Sequence, residues 1–207
     1  MENIARIGLP LAIAFLFSTS LSAQEFSADM VSRSVDGKVT TSKLYQTVDK
    51  ERFDSTVEIK PGTRMETHLI IDRRKKLIYL VEPQQKTILV NHVLEIASET
   101  SRSGPSRSNP CEELMRAINP IATKQQFACK QDGYESVNGR SAELWQMDSK
   151  LWGSGSAYLW VDAQIKATIK WTLPDGSSGE LQNIKVGPQS ASLFELPEDY
   201  RKQDLPH

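Results

Sequence analysis

Apolar and polar residues alternate along most of the chain after residue 25. In the two clearest segments every second position is apolar or small, and these positions are Phe53, Ser55, Val57 and Ile59, then Met65, Thr67, Leu69 and Ile71. A period of two residues is typical of a β-strand that turns one face toward the core. The pattern therefore predicts a mainly β domain.

Turn sequences separate these alternating segments. Asp36-Gly37 and Asn138-Gly139 favour two-residue hairpin turns, and Pro61-Gly62 and Pro174-Asp175-Gly176 favour further turns. Short strands joined by such turns, with few helical patterns between them, indicate an antiparallel barrel or a strongly curved open sheet.

The middle strands have apolar residues on both faces. Residues 76–82 (KLIYLVE) and 86–90 (KTILV) show no clean alternation. Strands with two apolar faces are covered on both sides. We therefore expect a helix or loop layer over one face of the middle of the sheet, and a core or a cavity at the other.

Residues 91–130 are predicted to form a helical insert. Apolar residues recur at helical spacing over 93–97, and a polar stretch of small residues follows over 98–108. Asn109 is a suitable helix cap and Pro110 fits the first turn, while Asn119-Pro120 ends the helix. The insert is expected to pack against the sheet.

The first 23 residues have the features of a signal peptide. A short apolar run over 7–21 is followed by Leu21-Ser22-Ala23, so cleavage is predicted after Ala23. The alternative, a transmembrane anchor, needs about 18 apolar residues, and the run is shorter. No cysteine follows the run, which argues against a lipid anchor. We predict a periplasmic or secreted protein with one domain over 24–207, not an integral membrane protein.

Charge and cysteine content limit the function further. The net charge of −1 gives no basis for binding nucleic acid. The two cysteines, Cys111 and Cys129, are predicted to form a disulfide, because an even number in an exported chain favours one. The alternative is a metal-binding or catalytic cysteine, which no neighbouring histidine supports.

Residues that could support catalysis are scattered. His68 could be a general base, but it falls on the polar positions of its strand, and a lone histidine is weak evidence. The Gly-Ser stretch over 153–156 lacks the spacing of a nucleophile elbow. Asp148 and Asp162 lie at predicted turns, where solvated carboxylates are ordinary. The basic run over 73–76 is typical of a solvated hairpin tip. We predict no enzyme, no metal and no cofactor.

All four tryptophans, Trp145, Trp152, Trp160 and Trp171, lie within 40 residues of one another. Large aromatic side chains bury much apolar area, so they line either a packed core or an apolar cavity. Core packing is the more common role. Apolar surface on both faces of this region favours an open curved sheet with helices on its concave side and a cavity between.

Four short motifs resemble exported proteins of the LolA/LolB-like superfamily, which have the lipoprotein-carrier fold. They are residues 26–31 (FSADMV), 50–53 (KERF), 158–162 (YLWVD) and 193–200 (LFELPEDY). The resemblance implies an unclosed antiparallel half-barrel whose concave face is covered by helices, with an apolar cavity that takes acyl chains in the carriers. It transfers no functional residue, and the disulfide-linked insert departs from the simplest carriers.

The resulting hypothesis is an exported carrier or sensor of a lipid or other apolar ligand, without catalysis. The candidate cavity residues are Phe53, Val57, Leu69, Ile71, Trp145, Trp160 and Trp171. The alternative is a protein-interaction module of the cell envelope, in which the core is filled and an edge strand or the 98–108 segment contacts a partner. An enzyme is the third hypothesis, and it would need a convergent polar site.

Overall fold

The computed structural model of the protein describes residues 24–60, 62–92, 109–118 and 127–205. Within these ranges twelve strands form one sheet with one α-helix packed on it. The elements are β1 (Phe26–Arg33), β2 (Val39–Gln46), β3 (Lys50–Lys60), β4 (Thr63–Asp72), β5 (Leu77–Glu82), β6 (Thr87–His92), α1 (Pro110–Ile118), β7 (Phe127–Val137), β8 (Arg140–Ser149), β9 (Ser156–Asp162), β10 (Thr168–Thr172), β11 (Ser178–Val186) and β12 (Arg201–Asp204).

The sheet is open and almost entirely antiparallel. Its strand order is β12-β6-β5-β4-β3-β2-β1-β11-β10-β9-β8-β7, and the pairing of β12 with β6 is parallel. Strands β7 and β12 are therefore the two edges. This architecture confirms the predicted mainly β class with one short helix.

The hairpin turns form where the sequence predicts them. Gly37 adopts a φ of 80° in the β1–β2 turn, and Asn138 and Gly139 adopt φ values of 50° and 77° in the β7–β8 turn. Positive φ at both central residues is the type I′ geometry, which matches the twist of the flanking strands. Pro61, in another predicted turn, lies outside the described residues.

The C-terminal segment covers one face of the middle strands. Ile70, Tyr79, Val81, Ile88 and Val90 are buried there against Phe194, which lies in a 3₁₀ turn (Ala191–Phe194). These contacts provide the predicted loop layer. The residue of β4 that is most buried in this layer is Ile70, which is not among the alternating positions Met65, Thr67, Leu69 and Ile71.

Strand β12 is absent from the predicted pattern. All four of its residues are exposed, so no apolar alternation marks it. Backbone hydrogen bonds place it beside β6: Arg201 N donates to Lys86 O at 2.9 Å, and Leu205 N donates to Val90 O at 2.9 Å. The Lys86–Asp199 ion pair (2.9 Å) joins the same two segments.

Helix α1 packs on the sheet and is linked to β7 by the Cys111–Cys129 disulfide, which confirms the predicted pairing. Cys111 and Met115 are fully buried against β8 and β9. Strand β6 continues to His92 and β7 begins at Phe127, so both ends of the predicted insert belong to strands. Residues 93–108 and 119–126 lie outside the described ranges, as does the predicted signal peptide, 1–23.

Candidate functional site

A row of apolar side chains crosses the middle of the sheet. Leu44 pairs with Phe53, Phe53 with Leu69, Leu69 with Leu80, and Leu80 with Leu89. Directly paired residues of neighbouring strands share a face. Alternation adds Ile71 and Ile78, which pair with each other. We call this surface the apolar face and define it by Phe53, Leu69, Ile71, Ile78, Leu80 and Leu89.

The apolar face is only half covered, whereas the opposite face of the same strands is buried. Every residue that defines the apolar face is half-buried. On the opposite face the C-terminal segment leaves Ile70 2% and Ile88 0% exposed. The difference in burial between the two faces of β4 to β6 means that the apolar face retains surface for a further apolar contact.

The apolar face continues across β1 and β11 to the tryptophans. Ala28 pairs with Leu44, Met30 with Leu181, and Gly179 with Trp171. Trp171 pairs with Leu159, which pairs with Trp145. Helix α1 covers this end of the face, where Trp145, Trp152 and Trp171 surround the buried Cys111 and Met115.

Five of the seven predicted cavity residues therefore share one face of the sheet: Phe53, Leu69, Ile71, Trp145 and Trp171. All five are half-buried. Trp160 follows Leu159 in β9 and so lies on the opposite face. Its partner there is Leu144. The side chain of Val57 lies outside the described part of the structure.

Trp160 is held by polar contacts on its own face. Its indole N–H donates to Glu135 Oε2 at 2.7 Å, and Lys170 Nζ lies 4.4 Å from the ring centroid. A buried tryptophan usually finds a partner for its N–H. Only 8% of Trp160 is exposed, so this side chain packs between β7 and β10.

The face opposite Trp171 contains an open depression with a volume of about 210 Å³. Val31, Lys170 and Glu180 share this face, because Val31 pairs with Glu180 and Glu180 with Lys170. The other residues that line the depression are Arg33, Val39, Trp171, Thr172, Ser178, Gly179 and Gln182. The sequence pattern does not indicate this site, because its residues come from four strands and no local motif joins them.

Asp162 corrects the expectation of a solvated turn carboxylate, since its side chain is only 1% exposed. Both oxygens accept hydrogen bonds from Arg140, and Oδ1 accepts from the backbone N–H groups of Gln164 (2.7 Å) and Ile165 (2.9 Å). Burial raises the pKa of Asp162, but Arg140 and the two N–H groups outweigh it and hold the pKa below the ordinary value. Asp148, by contrast, is exposed.

His68 is half-buried on the face that the C-terminal segment covers. Its Nδ1 lies 2.7 Å from Asp54 Oδ1, and Arg52 Nε donates to the same oxygen at 2.6 Å. Arg52 also donates to Leu193 O at 2.5 Å. The network therefore links β3 and β4 to the C-terminal segment. His68 therefore has a structural role, and its side chain does not lie on the apolar face.

Two further properties concern metals and membranes. Over the four described ranges, no cluster of three or more histidine, cysteine or acidic residues has the proximity needed to bind a metal ion. In the same part of the chain, no helix has the length and hydropathy required to span a bilayer.

Comparison with known proteins supports the fold alone. No protein-family model and no curated protein matches the sequence. An uncharacterized conserved protein from Thermus thermophilus superposes with a TM-score of 0.55 at 11% identity, over 89% of this chain and 93% of its own.

Two weaker superpositions involve named proteins. The MucA/MucB complex of Pseudomonas aeruginosa matches with a TM-score of 0.49 at 12% identity, over 87% of this chain and 58% of the other. A LolA superfamily protein from Nitrosomonas europaea matches with a TM-score of 0.32 at 8% identity, over 85% and 91%. At these scores neither superposition supports a conclusion about this chain. The chain thus shares an open β-sheet fold with the Thermus protein.

Proposed function

We propose that the protein is a non-catalytic, exported binding protein that holds a lipid or another apolar ligand against the apolar face. It would act as a carrier or a sensor in the cell envelope or outside the cell. The predicted signal peptide supports export, and the Cys111–Cys129 disulfide supports an oxidising compartment. The sequence motifs that resemble the LolA/LolB-like superfamily support the same class of function.

The unequal burial of the two faces of β4 to β6 is the main support for this proposal. Leu69, Leu80 and Leu89 are half-buried in a continuous row, and the residues that continue this face toward the tryptophans, Leu44, Ala28 and Leu181, are buried in the core. Burial of an acyl chain is worth about 0.8 kcal/mol per methylene, so ten methylenes would gain roughly 8 kcal/mol. That gain is of the same order as the roughly 4–15 kcal/mol cost of association, so a long acyl chain should bind more tightly than a short one.

Native mass spectrometry of the mature protein, purified gently from the exporting cell, tests the proposal. An added mass that organic solvent extracts would identify the ligand. Displacement of a fluorescent fatty acid would then report affinity, and Leu80→Gln should weaken it because a polar amide interrupts the row. Val35→Gln is the matched control, since Val35 is 67% exposed away from this row. A bare mass together with no probe binding would contradict the proposal.

A protein partner in the cell envelope is the second candidate, and strand β7 favours it. Strand β7 has 11 residues and pairs only with β8, so its outer backbone groups have no sheet partner in the described structure. Tyr134, which lies in this strand, is 67% exposed. An unpaired edge strand can add a strand from another chain. Edge strands are commonly protected from such pairing by charged residues and bulges. Strand β7 has both, in Lys130, Asp132 and a register shift after Gln131.

Site-specific crosslinking from position 134 in exporting cells would test this second candidate. A single discrete adduct that disappears in a Ser136→Pro variant, which loses an N–H on the outer side of the strand, would support pairing at β7. The same crosslinker placed at Val48, another exposed apolar residue, is the control. If both positions give the same diffuse products, strand β7 is not a specific partner site.

A further inference from the structure

The depression opposite Trp171 has both apolar and cationic walls. Val31 and Val39 supply apolar surface, and 49% of Val39 is exposed. Ser178 and Thr172 are short side chains of the next row, where they pair with each other and Ser178 pairs with Arg33. Short side chains beside long ones leave the hollow of about 210 Å³.

Two cations line this depression, and one of them, Lys170, lies beside the carboxylate of Glu180 on the neighbouring strand. Within the described ranges neither Lys170 nor Arg33 forms an ion pair. Lys170 Nζ contacts the ring of Trp160, and one Arg33 nitrogen donates to Gly37 O at 3.3 Å. Each cation therefore keeps N–H groups for a further acceptor, since an ammonium has three and a guanidinium five.

The acidic group in the depression already has hydrogen-bond donors. Glu180 Oε1 accepts from Asn138 Nδ2 and from Gln182 Nε2, each at 3.0 Å. The Asn138 and Gln182 bonds and the nearby charge of Lys170 lower the pKa of Glu180, so it is ionised at neutral pH. The two cations and the single anion give the wall an excess of one positive charge.

We propose that this depression binds a small carboxylate with a short apolar tail. Arg33 and Lys170 would bind the carboxylate, and Val31 and Val39 would contact the tail. A volume of about 210 Å³ equals roughly seven waters at about 30 Å³ each, which suits a ligand of about eight heavy atoms. Because the depression and the apolar face lie on opposite sides of the sheet, this inference is independent of the proposed function.

Titration of isotopically labelled mature protein with hexanoate, followed by amide NMR shifts, tests the proposal. We expect saturable shifts at Arg33, Thr172 and Ser178 with a millimolar dissociation constant, because so small a ligand has few contacts. Hexanol, which lacks the charge, should bind at least tenfold more weakly. Shifts confined to Leu69 and Leu80 would place hexanoate on the apolar face instead, which would overturn this inference while leaving the proposed function intact.

Two variants and a control locate the charge contact. Lys170→Gln and Arg33→Gln should each weaken hexanoate binding about tenfold, the effect expected for loss of a charged hydrogen bond. Lys185→Gln removes an exposed cation on the same strand pair outside the depression and should leave binding unchanged. Circular dichroism confirms folding of each variant. Equal binding by wild type and both depression variants, or no saturable shift, would overturn the proposal.

Discussion

The indole ring of Trp171 lies directly on the α-carbon of Gly179, its paired residue in the neighbouring strand. A β-carbon at position 179 would lie 1.9 Å from Cζ2 of the ring and 2.2 Å from Cη2. The ring thus replaces the missing side chain of the glycine, an arrangement that stabilises glycine within a strand. It also fixes the orientation of Trp171 on the same face as Phe53 and Leu69.

The first prediction concerns Gly179→Ala. The added methyl group must displace the Trp171 ring, so we expect a loss of about 1 to 3 kcal/mol in the free energy of unfolding, the range for overpacking. Because Trp171 is half-buried, the ring can move outward, and its fluorescence should shift to longer wavelength. Urea unfolding followed by tryptophan emission measures both effects.

A double variant separates this clash from a general effect of alanine. In a Trp171→Leu background the same Gly179→Ala change should cost less than in the wild type, since the smaller side chain leaves room for the methyl group. If alanine costs the same in both backgrounds, the contact between Trp171 and Gly179 does not limit the stability of this strand pair.

The second prediction concerns the buried pair of Asp162 and Arg140. Replacing Asp162, whose side chain is 1% exposed, with Asn leaves Arg140, which is 22% exposed, without its counter-charge, so we expect a loss of about 1 to 3 kcal/mol. Asp36→Asn is the matched control, because Asp36 is an exposed turn carboxylate that also accepts a backbone N–H. Chemical denaturation at pH 7 compares the two variants.

The pH dependence of the Asp162→Asn effect follows from the lowered pKa. The unfolded state binds a proton on Asp162 at a higher pH than the folded state does, so the stability from this group is complete above the unfolded pKa of about 4. It falls as the pH drops below that value through the folded pKa. The difference in the free energy of unfolding between wild type and Asp162→Asn should therefore become smaller as the pH is lowered below about 4. A difference that stays constant would show that the carboxylate charge is not involved.

The sequence predicts much of the fold because local pattern and turn chemistry determine it. Alternation locates β3 and β4, and Asn138-Gly139 has the positive φ values that its hairpin requires. The disulfide pairing follows from having two cysteines. These features depend on residues close in the chain or on simple counting.

The features that sequence does not predict depend on register between distant strands. Alternation gives each strand two faces but does not align them with the next strand. Trp145 pairs with Leu159 and Leu144 with Trp160, so the two tryptophans lie on opposite faces. Strand β12 consists of exposed residues without apolar alternation and pairs with β6 from a distant part of the chain, and the burial of Asp162 requires Arg140 from the neighbouring strand.

The third prediction concerns Arg52, which lies in the 50–53 motif and contacts the 193–200 motif. Its guanidinium donates to Leu193 O from β3 and thereby holds the C-terminal segment on the sheet. Arg52→Met should leave that carbonyl without its donor and remove the Arg52 hydrogen bond to Asp54, at a cost of about 1 to 3 kcal/mol. Hydrogen exchange of the 191–205 amides should increase, and it should increase more than exchange elsewhere.

Arg73→Met provides the comparison for Arg52. Arg73 forms an ion pair with Glu51 and is more exposed, with 34% of its side chain accessible against 16% for Arg52. It has no contact with the C-terminal segment among those described. If both variants raise exchange of the 191–205 amides equally, the bond to Leu193 is not what retains the segment.

The fourth prediction concerns the link between α1 and β7. A disulfide that closes a loop of 18 residues limits the unfolded chain, and the chain-entropy model gives about 3 kcal/mol for it. Here the link also holds Met115 in the cluster with Trp145 and Trp171, so its loss should expose the tryptophans as well as lower stability.

Reduction with dithiothreitol should therefore lower the urea midpoint and shift tryptophan emission to longer wavelength below the unfolding transition. A Cys111→Ala, Cys129→Ala variant should show both changes without reductant and no response to it. If reduction lowers the midpoint but leaves the native emission unchanged, the buried contacts of α1 keep it in place and the disulfide acts on the unfolded chain alone.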